Sequence, residues 1–174
     1  MLLIMSLVIG IALPNLSLRS ERAVLSEAEK LAADLTFIRQ RAVATGAKHR
    51  LVVDIEGAGW WIEVWPEEAS AFAPPAPAPQ GKDDVQMSPP ASGVDEPRPL
   101  PGPFGRPHLL PEGVSIASVE TPANGPVDAG RVEVVFEGDG SADPARFVLA
   151  NEAGDVVRLQ LSRLADEIRI DRGE

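Results

Sequence analysis

The sequence predicts an α+β chain in which one long N-terminal helix packs on an antiparallel β-sheet or small β-sandwich head. Apolar residues recur at steps of three and four from Val24 to Ala42, and short β-branched and aromatic runs fill the second half. No helical pattern intervenes between those runs, which argues against parallel strands with crossover helices. At 174 residues, 44% hydrophobic and 24% charged, the chain fits one folded domain with appendages.

The first element, residues 1–18, carries no charge and opens with MLLIMSLVIGIAL, apolar on every side except at Ser6. Such a run suits lipid or the centre of a helical bundle. At ~1.5 Å per residue it covers about 20 Å, short of a ~30 Å hydrocarbon core. No Lys or Arg precedes it, which disfavours a plain signal peptide. The expectation is that the sequence begins inside its own hydrophobic segment. Leu3, Ile4, Leu7, Val8 and Ile11 are the expected contacts with the membrane or a filament core. Pro14 removes one ladder donor and should kink the helix between its apolar and amphipathic halves.

Residues 19–46 continue as an amphipathic helix. Val24, Ala28, Leu31, Leu35 and Ile38 form a stripe expected to pack on the sheet, and Ala42 extends it. Glu27, Lys30, Asp34 and Arg41 are placed on the opposite, solvated side. Thr45 and Gly46 close the helix.

Residues 47–65 read as a β-hairpin of the head, His49–Ile55 and Trp60–Trp65 joined by Glu56, Gly57, Ala58 and Gly59. Successive strand residues face opposite sides, so either Ile62 and Val64 or Trp61 and Trp65 meet the helix, the other set lying under a second sheet. Residues 66–111 hold thirteen of the 17 prolines and are expected to be a mobile, partly polyproline loop, dispensable for folding. In residues 112–174, Val114–Val119, Arg131–Glu137, Arg146–Leu149, Val156–Leu161 and Glu167–Ile170 read as short antiparallel strands separated by Gly, Pro, Asn and Asp.

Charge and chemistry narrow the function. The net charge is −10, and everything from His49 onward carries −12, so a strongly basic nucleic-acid binder is excluded. The absence of cysteine removes disulfides, zinc–thiolate sites, iron–sulfur clusters and thiol nucleophiles. His49 and His108 are expected to be solvated, and Ser141 and Ser162 lie in no nucleophile elbow. The acidic turn from Glu137 to Asp143 lacks the spacing of an EF-hand loop and reads as a plain turn. No enzyme activity, cofactor or metal is expected.

This order of elements resembles the type IV pilin-like proteins. LVIGIALPNL, then LAADLTFIRQRAVATG and HRLVVDIEGAGWWIEV, look like the minor pseudopilins of type II secretion in the GspH/FimT group. VEVVFEGDGSADPARFVLANEAGDVVRLQLSRLADEIRI is similar to that group's aromatic strand, (D/N)GS turn and three closing strands. The resemblance implies a single-pass protein of the bacterial inner membrane with a periplasmic head, a structural subunit of a pseudopilus that promotes export of folded proteins. Its partners would be other pseudopilins at a filament tip, the inner membrane, and a prepilin peptidase acting on any precursor with a leader. Family precursors carry a basic leader, a Gly cleavage point, an FTLIE-like segment and a docking Glu, all expected upstream of Met1. Two other functions share the pattern: a pilus minor pilin of the FimT kind, for pilus assembly or DNA uptake, and a membrane-tethered periplasmic partner-binding module. Nucleic acid is not an expected partner of so acidic a head.

Overall fold

The computed structural model describes residues 2–65, 96–164 and 168–173, with side chains of the helix described from Glu21 onward. Helix α1 spans Leu2–Thr45 and runs through Pro14. The side-chain expectations for Leu3, Ile4, Leu7, Val8, Ile11 and Pro14 lie outside the described residues, as does the loop expectation over 66–95. Among the described residues no helix is long and apolar enough to cross a membrane.

Ten strands follow. They are β1 (His49–Asp54), β2 (Gly59–Val64), β3 (Arg98–Pro99), β4 (His108–Leu109), β5 (Val114–Thr121), β6 (Gly125–Val127), β7 (Arg131–Phe136), β8 (Ala145–Asn151), β9 (Val156–Leu161) and β10 (Arg169–Arg172). The first sheet has the order β3-β2-β1-β7, with β4 also on β2, and the second has β10-β9-β8-β5-β6. Every pairing is antiparallel. Helix α1 touches β1 and β7 of the first sheet and β8 and β9 of the second, so it is the floor shared by both.

Period-2 alternation explains the inner faces. Val132, Val134 and Phe136 of β7 and Val157, Leu159 and Leu161 of β9 are buried, while Arg131, Glu133, Arg158 and Gln160 between them are exposed. On β2, Trp60 and Ile62 are the buried pair and Trp61 faces outward. Val24, Ala28, Leu31, Leu35, Ile38 and Ala42 are each 0% exposed and join the same core. Burying a large aliphatic side chain this fully contributes about 1.5–3 kcal/mol.

The hairpin turn uses Asp54, whose Oδ1 accepts from the Gly57 N–H at 2.8 Å, and it holds Ala58 at φ 46°. The turn from β7 to β8 contains the Asp139-Gly140-Ser141 motif, and its two glycines have separate reasons. A Cβ on Gly138 would lie 2.3 Å from the Gly46 carbonyl oxygen, because this turn rests on the end of α1; Gly140 adopts φ +87° against Val43.

Two expectations change. The segment Glu96–Pro111 packs on the head: β3 and β4 cover the free edge of β2, Leu100 is 3% exposed, and its N–H donates to the Ile62 carbonyl at 2.9 Å. An edge strand tolerates proline because it has one side free of ladder bonds, so proline content alone does not exclude pairing. Glu27 also leaves the solvated side where the sequence reading put it. At about 100° per residue it lies roughly 20° from Ile38, whereas Lys30 lies roughly 80° away. Glu27 is accordingly buried and Lys30 exposed.

Candidate functional site

The two margins of the buried stripe carry the polar chemistry of the helix. On one, the Glu27 carboxylate accepts from Lys30 Nζ at 2.7 Å and from His108 Nε2 at 2.8 Å. Burial raises the pKa of Glu27, but these two hydrogen bonds and the accompanying charges outweigh it and hold the carboxyl below its ordinary range. The His108 ring lies against Trp60, centroids 4.3 Å apart, and the Trp60 indole N–H donates to Asp34 Oδ2 at 2.8 Å. On the other margin, Arg39 donates to the Ser162 carbonyl at 2.7 Å.

Neither histidine is the solvated group that the sequence suggested. His108 is tied to Glu27. His49 is 1% exposed, with Nδ1 2.8 Å from the Ala47 carbonyl oxygen. Both begin a strand at a place where α1 lies alongside, and nothing in their sequence neighbourhood signals that contact.

The outward face of the first sheet is closed by its own cations. Arg50 bridges Glu63 and Glu133 at 2.7 and 2.6 Å, and Arg131 reaches Asp54 at 3.0 Å. Lys48 and Arg50 lie over the Trp65 ring and Arg131 over Trp61, each 5.4 Å from the centroid. The expected covering of Trp61 and Trp65 by a second sheet is thus replaced by guanidinium and ammonium groups. The Gly57 N–H, then Arg131, hold the Asp54 carboxyl below its usual range. On the second sheet, Arg146, Arg158 and Arg169 share the outer face with Glu120 and Asp171, and Arg146 is paired with Glu120 at 3.0 Å. Among the described residues neither outer face offers a continuous positive stripe for phosphates.

Among the described residues no three His, Cys, Asp or Glu side chains converge as a metal site. The hollow beside the last turns of α1, lined by Thr36, Arg39, Val43, Asp139, Gly140 and Leu164, is open to solvent and brings no acid–base pair together. Asp139 is engaged in its own turn: the Ser141 side chain and backbone N–H hold its carboxyl below the usual range.

A long N-terminal helix laid under two antiparallel sheets, with Glu27, Asp34 and Arg39 hydrogen-bonded to the head, is a pilin-like fold. The chain belongs to the GspH family: the family model described as Type II transport protein GspH matches residues 27–165, from the amphipathic half of α1 to the end of the β9 region. That family is a structural, non-enzymatic component of the secretion pseudopilus. Two solved structures share the fold, both of the minor pseudopilin EpsH from the type II secretion system of Vibrio cholerae. One has 10% identity and a TM-score of 0.56, covering 86% of this chain and 96% of EpsH. The other has 11% identity and a TM-score of 0.55, covering 88% and 97%. No curated protein sequence matches.

Proposed function

We propose that this chain is a minor pseudopilin that joins other pseudopilins at the tip of a type II secretion pseudopilus and promotes export of folded proteins from the periplasm. The observation that carries this reading is the family match across residues 27–165, which runs from the second half of α1 through β9 and so takes in the first sheet and all of the second but β10. Leu3, Ile4, Leu7, Val8 and Ile11 supply the apolar surface that holds the subunit in the inner membrane or filament core, and Pro14 marks the change to the head-bound half. The head stands in the periplasm. A prepilin peptidase is a further partner of any precursor that carries a leader.

The test is deletion of the gene in its host, followed by an assay of exoproteins in the medium and cross-linking of the restored protein to its neighbours. Loss of secretion on deletion, with cross-links to other pseudopilins, is the expected result. Unchanged secretion with loss of DNA uptake would move the protein to the pilus group.

A further inference from the structure

Strands β3 and β4 both pair with β2: Arg98 and Pro99 lie opposite Val64 and Glu63, and His108 and Leu109 opposite Trp60 and Gly59. Between these pairs β2 supplies only Trp61 and Ile62, while the returning chain supplies Leu100 through Pro107. The surplus leaves the sheet edge as an excursion, folded around a 3-10 turn at Pro103–Gly105. At its base the Leu100 N–H donates to the Ile62 carbonyl and the Leu110 N–H to the Ala58 carbonyl, each at 2.9 Å. Leu100 is buried, so that end of the base is firm, whereas Leu110 is only half-buried.

The excursion is held on α1 by side chains. The Phe104 ring stacks on Phe37, centroids 4.1 Å apart, and His108 reaches Glu27. Phe104 remains 40% exposed, and no residue of the 3-10 turn is buried. Few buried contacts on a short pairing mark a segment of low local stability. Opening also leaves no stranded charge: water replaces His108 at Glu27, and Lys30 keeps its 2.7 Å contact.

We propose that residues 101–110 form a flap, hinged at Leu100 and Pro111, that lifts from α1 and from the edge of β2 while the rest of both sheets stays paired. Closed, it covers Phe37, the Glu27 carboxylate and one face of Trp60. Open, it presents them with Asp34 as an aromatic and acidic strip along the flank of the helix, a second surface absent from the closed head.

Native-state hydrogen exchange on the full chain in detergent micelles, at fixed pH and low denaturant, tests this. The amides of Arg106 and Leu110 should exchange at least about tenfold faster than those of Leu149 and Leu159, with little dependence on denaturant, as expected for a small opening. Phe104→Ala should speed Arg106 and Leu110 by about a further tenfold and leave Leu149 and Leu159 unchanged. If all four amides share one rate and one denaturant dependence, or if Phe104→Ala speeds all four equally, residues 101–110 open only with the whole head and the flap does not exist.

Discussion

Leu35 sits in the middle of the helix stripe with no exposed surface, between sheets that the helix itself holds in place. Leu35→Ala therefore leaves a cavity that neither sheet can close, and chemical denaturation should show a loss of about 2–5 kcal/mol. Glu27→Ala should cost about 1–3 kcal/mol, because it removes the carboxylate shared by Lys30 and His108. Lys30→Ala should cost less than about 0.5 kcal/mol, since half of that side chain is already in water. The pH dependence follows from the lowered carboxyl of Glu27. Its stabilisation is present above the ordinary value of 4.5 and is lost as pH falls through the lower folded-state value. The stability gap between the wild type and Glu27→Gln, measured by denaturation at several pH values, should narrow as the solution is acidified below about pH 4. The contrast between Leu35 and Glu27 shows what a single sequence reveals about residues. A 3.6-residue period points directly to Leu35, whereas Glu27 and His108 are 81 positions apart and carry no local sign of meeting. A margin position on a stripe looks solvated until the element beside it is known.

Strands with room for a period were legible and the shortest were not. Val156–Leu161 has the bounds that its alternation predicts, and Arg146–Leu149 grows only to Ala145–Asn151. The two-residue strands β3 and β4 are too short to alternate, and they lie in the proline-rich segment, where composition argues for a loop. The three-residue β6 was missed for the same want of length. Two deletions separate the parts of that proline-rich segment. Replacing residues 67–94 with a short Gly/Ser linker should leave the melting temperature of the head nearly unchanged. Extending the deletion to residue 107 removes Leu100 from the core and should lower it by about 5 °C or more in a thermal scan. Hairpin orientation was open to two readings on the sequence alone, and packing decides between them: Trp60 and Ile62 go inward because α1 and the core take them, and Arg131 of β7 shields Trp61.

At the scale of the molecule, the apolar tip and the acidic head divide the work of the proposed function, and a charge placed in the tip should separate them. Val8→Asp should abolish incorporation into the filament, and with it secretion, while the near-ultraviolet circular dichroism of the head stays native. The general plan of helix, hairpin and closing strands was readable because each part has its own period and the parts follow one another in order. The clamp of one helix across two sheets was not, because it depends on which strands pair. That pairing has a practical consequence at the edge of β2. Val64 and Arg98 are neighbours in the ladder, so the end of β2 and the start of β3 lie at almost the same point. For a flexible connection between two points held this close, doubling the length costs only about 0.6 kcal/mol of closure entropy. A fluorescent domain or epitope spliced there, between residues 67 and 94, would ride on the folded head as cargo on a fixed mount, giving a way to watch the subunit in living cells without touching either end of the chain.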